Sequence, residues 1–342
     1  MSLDKFDTNV AVRTLARLNR QKRALWLAVT LAALWDGAGA QTVGFALSYG
    51  TGLEPEVQLR NLQLPALDAG DVELGLRLAG GVSGPLEAGI DTRFRTSFGP
   101  LGTLAAGARA DADVTGVFDL GLNGSGALGA TGLEARLGVF NRNPGAFAPS
   151  AAYALDSRPF LNRPSSPGAV GAHFELGATR RIGRTLILEA TPSLSYLANT
   201  GVGLGLEGRL QRRRLVGSDN GALLSIASRG PGENRSFTAA GAEYALNRRG
   251  LPTLTGALLL GSSGEGVRPG FRATASGELG RFSYRAEAAA EPYRRDAPPY
   301  RGNVAFGTAL GPGALGLEFG AAPDNGFGIP PLLFRTSYAL RF

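Results

Sequence analysis

Beyond residue 40 the chain alternates. In LEAGIDTRFRTSF (86–98), Leu86, Ala88, Ile90, Thr92, Phe94, Thr96 and Phe98 fall on one face. Glu87, Gly89, Asp91, Arg93, Arg95 and Ser97 fall on the other. TLILEATPSLSYL (185–197) sets Leu186, Leu188, Ala190, Leu194 and Tyr196 against Thr185, Glu189, Thr191, Ser193 and Ser195. RFSYRAEAAAE (281–291) sets Phe282, Tyr284, Ala286, Ala288 and Ala290 against Arg281, Ser283, Arg285, Glu287, Ala289 and Glu291. FRATASGEL (271–279) and ALGLEFG (314–320) do the same. A period of two is that of a half-buried β-strand; a helix would show 3.6. No long segment after residue 40 carries a helical stripe with caps.

Turn signals punctuate these strands. FGPLG (98–102), RIGR (181–184), NRRGLP (247–252), ELGR (278–281) and LGPGA (310–314) read as tight connections. Residues 141–171, 228–236, 261–270, 291–303 and 321–331 read as longer, Pro- and Gly-rich ones. Read back from Phe342, long and tight connections alternate over at least the last five hairpins. The pattern predicts an antiparallel meander with tight turns at one end and long loops at the other. It holds about eighteen candidate strands, with boundaries least defined at 51–70, 111–131 and 211–222. No linker divides residues 41–342, and 141–171 is the longest loop, external or folded inward.

The same alternation fits two media. A soluble sandwich turns its apolar face to the core and its polar face to water. A membrane barrel turns the apolar face to lipid and the polar face to its lumen. A parallel solenoid is disfavoured because no strict 20–50 residue repeat appears. The polar face mixes Glu, Asp and Arg with many Gly, Ala and Ser, and lacks Lys. Opposite charges that pair across strands suit a confined, wet interior.

Residues 1–40 read as a secretory signal peptide. Arg13 to Arg23 form a basic region, ALWLAVTLAALW (24–35) an apolar run, and Ala38-Gly39-Ala40 a small-x-small cleavage site. The run is short for a bilayer span of about 20 residues. Cleavage after Ala40 leaves Gln41 first.

The closing LLFRTSYALRF adds the resemblance. Bacterial outer-membrane β-barrel proteins, the generic porin-like class, commonly end on an aromatic residue preceded by alternating hydrophobics. Phe334, Tyr338, Leu340 and Phe342 match that pattern. The resemblance implies an all-β, antiparallel transmembrane meander β-barrel of about 16–18 strands. It also implies an outer-membrane location, contact with outer-membrane lipids, and reading of these four residues by the barrel-assembly machinery. Aromatics are only 8% of the chain and Trp is absent after residue 40, so the expected aromatic girdles are thin.

Charge and chemistry narrow the function. The net charge is +7, and both lysines lie in the first 40 residues, so every later basic residue but the lone histidine is Arg. No basic cluster points to nucleic acid. QRRRL (211–215) reads as a solvated turn. The chain has no Cys and one His, which excludes disulfides, thiol catalysis and His-rich metal sites. APDNGFG offers too few oxygens for calcium. GVGLGLEG (201–208) and GLNGSGALGATG (121–132) lack the Lys and helix of a phosphate loop, and read as strand glycines that let a sheet curve. His173 shares a face with Glu175, next to Ser193 and Ser195, an arrangement more simply read as a lumen histidine than as a catalytic site. No catalytic residue, metal or cofactor is assigned.

The remaining candidate is a mixed polar row: Glu87, Asp91, Arg93, Arg95, Glu189, Glu207, Arg209, Arg272, Glu278, Arg281, Arg285, Glu287, Glu291, Glu318, Arg335 and Arg341. In an open barrel these line the pore and set its ion preference. In a filled one they form a salt-bridge mesh. The sequence therefore supports a passive channel for ions or small polar solutes. The rival is a structural barrel that anchors other envelope proteins such as an S-layer, pilus or secretion component.

Overall fold

A computed structural model describes residues 40–50, 53–62, 71–80, 86–97, 103–141, 153, 155, 170–198, 201–212, 219–229, 236–248, 250–295 (249 excepted), 297–323 and 330–341. The expected signal peptide and Phe342 lie outside them. The strands are β1 (Ala40–Tyr49), β2 (Leu53–Leu62), β3 (Asp71–Gly80), β4 (Leu86–Ser97), β5 (Thr103–Asp113), β6 (Phe118–Leu128), β7 (Thr131–Phe140), β8 (Gly171–Ile182) and β9 (Leu186–Leu197). They continue as β10 (Gly201–Arg212), β11 (Asn220–Arg229), β12 (Ser236–Leu246), β13 (Thr253–Ser262), β14 (Val267–Leu279), β15 (Phe282–Ala290), β16 (Tyr300–Leu310), β17 (Gly313–Ala321) and β18 (Leu332–Arg341). Each strand pairs antiparallel with the next, and β1 pairs with β18 from Thr42↔Arg341 to Tyr49↔Phe334. The result is one closed, 18-stranded meander. The expected barrel and strand number are both met.

The even strand number puts β1's start and β18's end on one rim. All five connections read as tight join strands at that rim, and all five read as long join them at the other. Two of the long ones are much shorter than expected. Residues 261–270 contract to a turn at 263–266, because Val267 and Arg268 pair with Ser262 and Gly261. Residues 291–303 contract to 291–299, because Tyr300 to Asn303 join β16 and pair with β15. Both stretches carry Gly and Pro, yet each gains ladder hydrogen bonds by extending a hairpin.

The two faces separate as alternation demands. Leu204, Leu206, Leu223, Leu258 and Leu260 point outward and stand exposed, Leu258 at 75%. Inward positions carry most of the charges. Their phase is fixed by an ion pair between Arg272 on β14 and Glu207 on β10, 3.9 Å apart. Three strands lie between them, each roughly 4.8 Å from the next. Only the concave face of a strongly curved sheet brings two such side chains together. An apolar cluster, Val43 and Leu59 with Phe45, Leu74 and Leu76, lies on the outward face of β1 to β3.

Leu258→Arg tests which medium the outward band meets. On a water-facing surface the change is nearly neutral, within about 0.5 kcal/mol. Near a bilayer midplane it costs about 2–4 kcal/mol. The larger loss is expected, read as a lower urea midpoint for the barrel folded into vesicles.

Candidate functional site

The inward face is laced by ion pairs that step over intervening strands. From β18 across β2 to β6 a chain of contacts runs Arg335–Glu56 (3.1 Å), Arg77–Glu56 (3.8 Å), Arg77–Glu87 (3.0 Å), Arg77–Asp111 (3.4 Å) and Arg109–Asp111 (3.1 Å), ending on Arg109–Asp119. Arg77, Gly89 and Asp111 are successive register partners. Gly89 is what permits the long reach: a side chain there would collide with Asp111. On β7 to β12, Arg136 meets Glu134 (2.6 Å) and Glu175 (3.8 Å), Gln211 donates to Glu189 (2.7 Å), and Arg209 reaches over β11 to Glu243.

The densest cluster sits at the rim away from the termini. Glu291, just beyond β15, is fully buried. It accepts from Arg301 at 2.7 Å, from Arg272 at 3.0 Å and from Arg294 at 3.2 Å. Burial works against its charge, but the three guanidiniums outweigh burial and hold its carboxyl at about 2. One buried carboxylate thus serves three arginines, of which Arg272 also reaches Glu207 at 3.9 Å.

This cluster fastens the β15–β16 connection inside the mouth. Tyr293 and Ala297 are fully buried. The inward face of β11 to β13 is apolar here, with Leu224, Ile226, Phe237, Ala239, Ala257 and Leu259, and Tyr293 packs onto it. The Tyr293 ring lies against Gly261 and Gly270, whose missing side chains leave it room. Arg294 stacks over Phe237 at 6.0 Å. Alternation alone does not reveal this patch, because its apolar residues occupy lumen positions.

A second segment comes from the β7–β8 connection. Tyr153 packs over Gly320, Ala322 and Leu333 and donates to Pro330 O at 2.6 Å. The Leu155 N–H donates to Glu287 at 3.1 Å, and its carbonyl accepts from Arg301 at 3.0 Å. These partners all lie on the inward face. Tyr153 and Leu155 of loop 141–171 are therefore folded inward.

Solvent exposure divides the lumen. Toward the termini, Arg285 is 66%, Arg136 55% and Glu134 53% exposed. Toward the other rim, Glu291 and Arg301 are 0% and Asp119 2% exposed. One half is open to water and the other is closed around bonded charges.

The expected row maps onto this face with differing company. Glu87, Glu189, Glu207, Arg209, Arg272, Arg285, Glu287, Glu291 and Arg335 enter ion pairs, and Glu318 accepts from Asn303 at 2.9 Å. Asp91 lies beside Gly75, and Arg93 and Glu278 are exposed. Arg281 leaves the row, sitting in the 280–281 turn over the Phe282 ring at 5.4 Å. Arg95 and Arg341 hold strand positions on β4 and β18. Glu56, Arg77, Arg109, Asp111, Asp119, Glu243, Arg294 and Arg301 are additional members. Their strands alternate too, so phase counting through β2, β3, β5 and β16 would have found most of them.

Phe334 is exposed and outward, with its ring 5.0 Å from that of Phe319. Tyr338 donates to Leu310 O at 2.8 Å, and Leu340 pairs with Val43 and Gly313. His173 stands opposite Ser195 and Gly138, with its ring 5.9 Å from that of Phe140. Glu175 stands opposite Ser193 and faces Arg136. Among the described residues no group of His, Asp and Glu is arranged to hold a metal, and no helix is long and apolar enough to cross a membrane.

No family model matches the chain, and no curated protein does. Among solved structures it is similar to a mutant of Rh. blastica porin, at 11% identity and a TM-score of 0.42, covering 88% of this chain and 98% of that one. A triple mutant of Rhodopseudomonas blastica porin gives 12% and 0.39, covering 88% and 99%. The closed strand order and the outward apolar face are in themselves the architecture of a closed antiparallel meander barrel with an apolar outer wall.

Glu291→Gln removes the buried charge that Arg301, Arg272 and Arg294 share. A loss of about 3–5 kcal/mol is expected, measured by urea unfolding in vesicles. The folded carboxyl lies below its unfolded value, so its contribution is complete above about pH 4.5 and fades as pH falls toward 2. The wild-type advantage over Glu291→Gln should therefore be flat from pH 8 to pH 5 and shrink below that.

Proposed function

We propose that this chain is an outer-membrane β-barrel that passes ions or small polar solutes by diffusion through its charged lumen. The observation that carries this reading is the pairing of an exposed apolar outer face with an inner face whose charges are water-exposed over one half. A water-filled lumen sheathed by lipid needs that arrangement, and a soluble sandwich would need its opposite. The residues that line the path are Arg93, Glu134, Arg136, Glu278 and Arg285, with the buried clusters forming its narrow mouth. The segments at Tyr153–Leu155 and 291–299 constrict that mouth. Mixed charge gives hydration and a local field more than stability, because exposed pairs contribute little each.

The same reading includes export through residues 1–40 and recognition of Phe334, Tyr338, Leu340 and Phe342 by the assembly machinery. Its rival is a barrel whose mouth stays shut and which serves as an envelope scaffold. The buried Glu291 cluster is the observation that favours the rival.

Planar-bilayer recording separates the two. The folded protein is expected to give discrete conductance steps. Tyr293→Gly, which removes the ring from the mouth, is expected to enlarge them. Folded, inserted protein that gives no steps in either form would exclude the channel and leave the scaffold.

A further inference from the structure

One part of the outer wall breaks the leucine pattern. On β10 the outward side chains include Leu204 and Leu206, and on β13 Leu258 and Leu260, each more than half exposed. The two strands between them present small residues outward. These are Ser225 and Ala227 on β11 and Thr238 and Ala240 on β12; one step further along, Leu223 of β11, in register with Ala242, closes the floor. Strands lie about 4.8 Å apart, so a two-strand floor between leucine ridges makes a narrow trough. Toward the rim away from the termini it opens into a concavity of about 570 Å³.

Arg229 stands at the head of this trough. It is exposed, it pairs in register with Leu204 and Ser236, and it shares their outward face. Most described arginines on this barrel's inner face hold a carboxylate. Among the described residues the Arg229 side chain has no ion pair or hydrogen bond. Ser236, Thr238 and Ser262 bring hydroxyls to the same concavity. Ser263 also lines it and accepts from Arg295 at 3.3 Å. The acid of the adjoining turn, Glu265, is held by Arg268 at 3.1 Å and Arg295 at 3.2 Å, so its charge is compensated.

A lone guanidinium on a lipid-facing wall is costly unless it reaches the interface and an anion. Arg229 is at the end of its strand, where headgroups lie, and its planar fork matches phosphate oxygens. The wall offers an internal contrast. The outward alanines Ala108 and Ala110 of β5 lie between Ile90 and Leu120, flooring a concavity of about 380 Å³. Its one charged lining residue, Arg109, is committed to Asp111 and Asp119 on the inner face. That trough has no head.

Resting on the membrane-barrel reading above, we propose that the β10–β13 trough binds one phosphate-bearing membrane lipid. Arg229 and the Ser236, Thr238 and Ser262 hydroxyls take the phosphate. An acyl chain lies on Ala227, Thr238 and Ala240 between the leucine ridges.

The test uses the full barrel inserted into phosphatidylcholine vesicles doped with phosphatidic acid. The barrel is extracted in mild detergent and weighed by native mass spectrometry. One retained phosphatidic acid is expected, with no retention of a diacylglycerol bearing the same chains. Arg229→Gln should lower retention roughly tenfold or more, the value of one charge-assisted hydrogen bond. Ala227→Leu, which fills the trough but keeps the charge, should lower it as well, while Ala108→Leu in the headless trough should not. Heat-modifiable gel migration reports whether each variant is folded. Equal retention by wild type and both trough variants would overturn the site. Displacement by millimolar inorganic phosphate would make it an anion site and overturn the lipid. A wild-type barrel that never enters the vesicles would defeat the membrane reading itself, and this inference with it.

Discussion

The sheet has no free edge. β1 hydrogen-bonds to β2 on one side and to β18 on the other, and that seam is the constraint on which everything else hangs. In hydrocarbon an unpaired backbone N–H or C=O costs several kcal/mol, so strands survive there only when the last closes on the first. Closure fixes curvature, and curvature creates two unlike faces. The convex face spreads its side chains apart and leaves leucines exposed. The concave face crowds its side chains together, which is why Arg272 finds Glu207 across three strands.

Crowding also explains the chemistry of the interior. Charges drawn into a small volume must be hydrated or paired. Toward the termini they are hydrated. Toward the opposite rim they are paired, and the pairs become anchors. Glu291 binds arginines from β14, from its own connection and from β16, and Arg301 in turn holds Leu155. Two connections from distant parts of the chain are thus tied to one carboxylate. The narrow mouth is an electrostatic assembly seated on an apolar patch, and its stability depends on keeping that carboxylate ionised.

Much of this was legible beforehand. Alternation gave the faces, the turn residues gave the hairpins, and parity placed the termini together. Glu87, Glu189, Glu207, Arg209, Arg272, Arg285, Glu287, Glu291 and Arg335 were placed on the inner face by phase alone. Arg281 falls in the turn that precedes β15, over the Phe282 ring, where strand alternation no longer fixes a face. The 261–270 and 291–303 stretches were read as loops because Gly and Pro mark turns locally. Pairing with a neighbouring strand outweighed that local preference, as it does wherever a ladder can be extended.

Local spacing thus determined the strands, their faces and their order around the barrel, since each depends only on residues a few positions apart. Which charges meet, and what fills the mouth, was decided by the tertiary structure. Arg77 reaches Asp111 because Gly89 lies between them, and Tyr293 covers Leu259 because a connection turns inward. Alternation places a side chain on the inner face but says nothing of its distance from one on a strand far away in sequence. That distance is set by the closure and curvature of the whole sheet.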